Sequence, residues 1–364
     1  MESKVQGVLD SLWDRFDEFA ESGQPLNLST WASYFTYDVV GTLCLSEPMG
    51  FVREGCDPVG FIENIHGAFY WIANLGFLPG QTSWIGNPVT EFLAPRLGLH
   101  VTNYAKAFQR LSVDKVFERR NAGPQGKKAD MLDHFISMTG RTGEPATIPE
   151  IMAEIGNMLA AGADTTSTAI KAVLGPLLRD PIRYRRLRDE VDTVKNASPA
   201  SASGQALTYN MVKDLPFLSG CIKEGIRMHP SIVYQLPRHA PAGGTQLEGY
   251  YIDPSCTISM SPLAQNRCND IFGPDPDEWR PERWIAGEGN SEEQIKFMEK
   301  NLATFGYGSR ICIGKNLALF ELYKFLAQLL ARFDVEAVDT KTPCGVRSMW
   351  FAEIDNLKIS LKKR

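Results

Sequence analysis

A mainly α-helical chain with small β-sheets near its C-terminal end is the fold class that this sequence predicts. Apolar residues recur at helical spacing through most of the first two-thirds. From Arg238 to Ser261, in GGTQLEGYYIDPSCTISM, β-branched and aromatic residues alternate with turn signals, and strand-like alternation returns from Met349 to Leu361. The composition suits a chain that fills a sizeable core: 364 residues, 43% hydrophobic and 22% charged. Length alone permits one large domain or two or three smaller ones.

The elements follow in order. In MESKVQGVLDSLWDRFDEFAESG, residues Val5, Val8, Leu9, Leu12, Trp13, Phe16 and Phe19 fall on one side of an amphipathic helix. A second helix fits Thr30 to Leu45, and residues 46–62, with Gly, Pro and Cys, read as a loop. Apolar and aromatic helices follow, interrupted at Pro79, Pro88 and Pro95; NAGPQGKKAD at 121–130 is a polar connection. The strongest helix begins near Thr147, which stands in capping-box spacing with Glu150. Its apolar positions run through Ile151, Ile155, Met158, Leu159, Ile170, Val173, Leu174 and Leu177, and Asp180-Pro181 ends it. At about 1.5 Å per residue it spans about 45 Å, enough to cross a domain. Residues 196–206 are a loop by composition, and residues 265–300, with many Pro, Gly, Asp and Asn, read as one long irregular segment. A second strong helix runs from just after Cys312 to about Phe333.

Several function classes are disfavoured. A net charge of −5 without a block of like charges argues against nucleic-acid binding, which needs a clustered basic surface. The seven cysteines are odd in number and irregularly spaced, with no C-x-x-C pair. They support neither a zinc site nor a disulfide scaffold, and predict reduced thiols with no disulfide partner. No uncharged apolar run reaches the ~18 residues of a membrane span, and the N-terminus lacks a signal peptide's apolar core.

The decisive segment is FGYGSRICIG, residues 305–314. Its glycines permit positive φ and close approach to the backbone, as a flat macrocycle against a tight loop requires. Cys312 stands where this loop enters a helix, whose N-terminus favours a thiolate. Loop N–H groups could hydrogen-bond the sulfur, and Arg310 could pair with a propionate. At Phe305, Gly306, Gly308, Arg310, Cys312 and Gly314 the string resembles the haem-binding signature of the cytochrome P450 family. That resemblance implies the cytochrome P450 fold and thiolate-ligated haem b, iron protoporphyrin IX. It makes Cys312 the axial ligand of the iron, sets Phe305 beside the sulfur and puts Arg310 on a propionate.

Three further motifs follow the family's order. AGADTT at 161–166 sits within the longest helix, where Asp and Thr are poor interior residues. It resembles the oxygen-activation motif, which implies that Asp164 and Thr165 are an acid–alcohol pair relaying protons to dioxygen, with Gly162 near the haem face. Glu224 and Arg227 share a helix face at i and i+3. With Arg283 in PERW they resemble the family's buried Glu–Arg–Arg network, whose role is structural. Arg238 matches, with a one-residue shift, a position that contacts the second propionate. The resemblance covers nearly the whole chain and extends to fungal microsomal-type members, whose full-length forms are typically anchored to the endoplasmic reticulum.

Complete members carry a leader, a first sheet and several helices ahead of this point. The expectation is a single catalytic domain over 1–364 that lacks those parts: an incomplete product of a normal enzyme, or a short and impaired form. The resemblance implies a monooxygenase that oxidises a hydrophobic small molecule, a secondary metabolite or aromatic compound. It would use dioxygen and electrons from a separate reductase, since no flavin or iron–sulfur motif is present. A haem-thiolate isomerase or peroxide-driven enzyme is a second reading, opposed by the Asp164-Thr165 pair. A truncated, catalytically impaired haem-binding remnant is a third. Candidate pocket residues are Met158, Leu159, Ala163, Ile232, Val233, Tyr234, Ser348 and Met349, with Phe69, Tyr70 and Trp71 as a roof.

Overall fold

The computed structural model describes residues 1–57, 60–75, 87–93, 96, 113–123, 130–140, 142–197, 206–348 and 350–364. The expected helices form. Helix α1 (Glu2–Ser22) buries Val5, Val8, Leu9, Leu12, Trp13 and Phe16, and Gly23 ends it in the left-handed region. Strand β1 (Leu26–Asn27) leads into α2 (Leu28–Leu45), whose Asn27 side chain caps Ser29 N–H. Helix α2 is buried almost all round, as its continuous apolar composition requires.

The predicted loop at 46–62 holds a short helix, Phe51–Glu54. Buried Asp38 of α2 organises it by accepting from the N–H groups of Gly50, Phe51 and Val52. Helix α3 (Phe61–Leu75) starts where the Asp57 carboxylate accepts from Phe61 and Ile62. Pro88 opens a short helix, Pro88–Leu93; Pro79 and Pro95 lie outside the described residues.

The longest helix, α4 (Ile148–Leu177), has the capping box of Thr147 and Glu150 in place. It packs along α2 and crosses α6 (Pro216–Met228) at Gly225, where an added Cβ would lie 2.6 Å from Val173 Cγ2 and 3.0 Å from its Cα. Helix α5 (Pro181–Ala197) follows, and α7 (Lys315–Arg332) closes the core. Trp13, Phe35 and Phe325 meet there, with ring centroids 5.5 and 5.2 Å apart. The segment 265–300 is not wholly irregular. It contains a helix, Glu292–Asn301, with its own capping box of Ser291 and Gln294, and a 3-10 turn at Pro281–Trp284.

The sheets are small, as predicted. Strands β2 (Arg238–His239) and β5 (Thr257–Ile258) pair, as do β3 (Thr245–Leu247) and β4 (Tyr250–Ile252). Strand β6 (Phe333–Ala337) pairs with β9 (Lys358–Lys363), which also pairs with β1, so the two ends of the chain meet in one antiparallel sheet. Strands β7 (Gly345–Ser348) and β8 (Ala352–Asp355) form a hairpin whose second strand is buried beside α4. Among the described residues no helix is long and apolar enough to cross a membrane.

Candidate active site

The loop before α7 is built from two 3-10 turns, Ala303–Phe305 and Gly308–Arg310, joined through Gly306 at φ 70° and Gly308 at φ 62°. A side chain at either position would be strained. Cys312 N–H donates to Phe305 O at 2.8 Å and closes the loop. Gly314 adopts ordinary helical φ, and an added Cβ there would make an ordinary contact with Cys312 Sγ at 3.8 Å. No N–H among the described residues donates to that sulfur. The backbone bond of Cys312 runs to Phe305 rather than to the thiol as expected.

Around the exposed Cys312 lie Tyr307, Ile311 and Ile313, the last 92% exposed. Phe305 packs on the main core beneath them. A free thiol amid uncovered apolar side chains fits a flat, apolar group carrying the metal that the thiolate would bind. Arg310 and Arg238 are both exposed, and neither pairs with a carboxylate among the described residues. Arg238 donates only to the carbonyls of Leu236 and Pro237. Two unpaired guanidinium groups suit the anionic edge of such a group.

Beneath this loop a buried ionic network is saturated. Arg227 donates through Nε and Nη2 to both oxygens of Glu224, each at 2.8 Å. Arg283 Nε adds a bond at 3.3 Å. Two partners that the sequence did not reveal complete the carboxylate: Trp284 Nε1 at 2.8 Å and Arg280 N–H at 2.9 Å. Arg283 also reaches Phe272 O and the Asp275 carboxylate. The network continues to the cysteine loop. Arg227 Nη1 donates to Asn266 O at 2.7 Å, and Asn266 Oδ1 accepts from Ala303 N–H at 2.8 Å. Thr304 Oγ1 donates to Ile226 O at 2.7 Å. Ala303–Phe305 is the turn on which Cys312 hangs.

In the middle of α4 the structure separates what the sequence set together. Thr165 lies on the open face of the helix and donates to Ala161 O at 2.7 Å. Asp164 is fully buried on another face, where it accepts from Tyr37 Oη at 2.9 Å and His66 Nε2 at 3.0 Å. No hydrogen bond joins the two side chains, because successive helical residues point about 100° apart. Gly162, expected near the haem face, packs its own face against α2. Its missing Cβ would meet Val40 Cγ2 of α2 at 2.9 Å, so it serves helix packing. Ser231 Oγ donates to Thr165 O at 2.7 Å and ties the segment after α6 to this turn.

Asp164 belongs to a charged cluster that sequence reasoning missed. His66 Nε2 lies 3.0 Å from Asp164 Oδ1 and 2.8 Å from Glu353 Oε1. Burial pulls the His66 imidazole down, but its bonds to the two carboxylates outweigh this and raise its pKa to about 10. Burial raises Glu353, while His66 and more distant cations bring it below the usual carboxylate value. Tyr37 is held well above the ordinary phenol value by burial and by Asp164. Lys171, 2% exposed, is lowered by burial and forms no hydrogen bond or ion pair among the described residues. His66, Lys171 and Glu353 floor an open cleft of about 780 Å³, rimmed by Ser33, Asp57, Glu63, Arg347 and Asp355, while Asp164 and Tyr37 lie behind it.

The expected pocket residues divide. Leu159 and Ala163 are core, packed with α2. Phe69, Tyr234, Trp350 and Phe351 form an aromatic group, with centroids 4.8 Å apart for Phe69–Phe351 and 5.1 Å for Tyr234–Trp350. Met349 and the side chain of Trp71 lie outside the described residues.

Comparison with known proteins agrees with this geometry. The profile of the family described as Cytochrome P450 matches residues 1–353. The chain is 30% identical to cytochrome P450 monooxygenase asR2 of Sarocladium schorii, covering 100% of this chain and 70% of that one. It is likewise 30% identical to cytochrome P450 monooxygenase cicH of Emericella nidulans, covering 100% and 71%. With cytochrome P450 monooxygenase ACRTS1 of Alternaria alternata it shares 28% identity over 99% of this chain and 95% of the relative. The solved cytochrome P450DA heme domain superposes with a TM-score of 0.81 at 19% identity, covering 100% of this chain and 73% of that one, which is a likeness of fold.

Proposed function

The chain belongs to the cytochrome P450 family, and from that premise we propose that it oxidises a hydrophobic small molecule, of the secondary-metabolite or aromatic class, with electrons from a separate reductase. It is a haem-dependent monooxygenase, an oxidoreductase whose cofactor is thiolate-ligated protoporphyrin IX. We read residues 1–364 as one catalytic domain, since α1 and β9, at its two ends, pack together.

The residues fit the cofactor in the following roles. Cys312 would hold the iron through Sγ, on a turn fixed by Gly306, Gly308 and the bond to Phe305 O. Arg310 and Arg238 would hold the propionates. Glu224, Arg227 and Arg283 fix the turn through Asn266. Bound haem supplies the dioxygen chemistry, and the protein contributes ligand, protons and a dry pocket. Thr165 has its proton committed to Ala161 O, so its oxygen faces the open side as an acceptor. Asp164 holds or passes a proton on the neighbouring face, about 100° round the helix. The Phe69, Tyr234 and Trp350 group excludes water from an apolar substrate.

The observation that carries this reading is the exposed thiol on a glycine-shaped turn at the start of α7. The test is the ferrous–CO difference spectrum of the chain expressed with haem. The long-wavelength Soret band of a thiolate complex is expected. The shorter-wavelength band, or no retained haem, would overturn the reading for this chain.

A further inference from the structure

We propose that His66 and Glu353 form a proton-supply route into Asp164, entered from the polar cleft between α2, α3 and β8, with His66 Nε2 as its hub. The inference rests on reading Asp164 as the group that holds or passes a proton.

Three observations carry it. A single nitrogen, His66 Nε2, lies within hydrogen-bond distance of two carboxylate oxygens, Asp164 Oδ1 at 3.0 Å and Glu353 Oε1 at 2.8 Å. One N–H cannot serve both fully, so the proton there is shared between two acceptors. Second, Asp164 is completely buried whereas the cleft reaches His66, Lys171 and Glu353, so the cleft joins solvent to the inner carboxylate through His66. Third, the buried Lys171 ammonium faces the cleft with no partner among the described residues, and a buried cation in that position requires hydration. Water therefore reaches the floor of the cleft.

The transfer balances. His66 gives its Nε2 proton to Asp164 Oδ1. The Glu353 carboxylate takes a proton from hydronium in the cleft and passes it through Oε1 to the neutral nitrogen, which restores the carboxylate and the imidazolium. One proton enters for each that moves inward, and no electron moves. The groups facing His66 make it a loaded donor at neutral pH: Asp164 and Lys171 from α4, Tyr37 from α2, Glu353 and Asp355 from β8, Arg347 from β7, and Glu63 on its own helix. Burial lowers the imidazole and the two carboxylates more than restore it. A cation site is the other use of this trio, whose liganding atoms lie within 4.8 Å of one another. Lys171 beside it, and Arg347 on the second oxygen of Glu353 at 3.0 Å, already supply positive charge there.

The experiment compares haem-loaded wild type with His66→Gln, Glu353→Gln and Asp164→Asn, each checked first for its CO band. Product formed per reducing equivalent, peroxide released and the solvent deuterium isotope effect are recorded. Nuclear magnetic resonance of histidine-labelled protein follows the His66 imidazole with pH, identified by its loss in H66Q among the 5 histidines. The expectation is that H66Q and E353Q each lower product formation by about 100-fold or more, raise the isotope effect and divert electrons to peroxide. The His66 imidazole of wild type should stay protonated past about pH 9, about one unit below its shifted value, and E353Q should lower it. If D164N uncouples while H66Q and E353Q behave as wild type, the route is wrong and the reading of Asp164 stands. If D164N is also silent, that reading fails first. An ordinary histidine titration in wild type overturns the proposal without recourse to activity, and it also decides the matter should H66Q lose its haem.

Discussion

Two buried charge clusters lie on different sides of α4, and they are built to opposite specifications. Around Glu224 every donor is matched: both oxygens are bonded by Arg227, Arg283, Trp284 and a backbone N–H, and every side chain of the trio is fully buried. Around Asp164 one imidazole nitrogen serves two carboxylates, and a neighbouring ammonium faces the open cleft with no partner among the described residues. Saturation fixes a geometry; a shared proton leaves one degree of freedom. The first cluster holds the turn that presents Cys312. The second can change its protonation without moving its backbone.

The sharpest test of this division is at the thiol itself. Cys312→Ser should abolish the long-wavelength CO band and all turnover, because no other thiol stands on this turn. A mutant that kept the band would break the assignment of the whole region. Next in size is Glu224→Ala. Removing one partner from a buried ionic network costs about 3–5 kcal/mol, so the variant should unfold at markedly lower urea concentration and lose haem. A variant of near wild-type stability would mean that the network is not what holds the turn.

The two clusters also differ in how far the sequence revealed them. The thiol region was legible because its residues are close in sequence or ordered in distinctive strings. Glu224 and Arg227 are three apart, and the loop before α7 is contiguous. Even there Trp284, Asp275 and Asn266 were missed, since a polar segment rich in Pro and Asp gives no sign of which side chain turns inward. The capping box at Ser291 was hidden in that same segment. The Asp164 cluster was legible only in Asp164. Tyr37 and His66 stand 127 and 98 residues away, on helices whose patterns say no more than that one face is buried. A lone His in an aromatic helix and a Glu in an apolar strand carry no spacing signal. Only the packing of α3 and β8 against α4 gives them meaning.

The pH dependence of stability separates the clusters next. The His66 pKa is raised on folding from an ordinary value near 6.5 to about 10. A group raised in the folded state contributes stability that is fully present below its unfolded pKa and is lost as pH rises through the folded one. The stability gap between wild type and His66→Gln should therefore be largest below pH ~6.5 and shrink towards pH ~10. Denaturant melts at several pH values measure this. Glu353, depressed on folding, adds the opposite slope in acid. A gap independent of pH would mean that the imidazole is not charged in the folded protein, and the contrast between the clusters would narrow.

The smallest effect concerns Gly162 of α4, which the sequence placed near the haem face. Its side-chain space belongs to Val40 of α2, whose Cγ2 would sit 2.9 Å from an added Cβ. Gly162→Ala gains about 1 kcal/mol of helix propensity and loses about 1–3 kcal/mol to overpacking. The single substitution should therefore be neutral to mildly destabilising, with an unchanged CO spectrum. In a Val40→Ala background the obstruction is gone and the propensity gain remains, so the same substitution should stabilise by about 1 kcal/mol. This reversal of sign is a coupling between two residues in contact, which a double-mutant cycle reads directly. A shifted Soret band in Gly162→Ala, with no dependence on Val40, would return this position to the cofactor and move the boundary between packing and chemistry by one turn of α4.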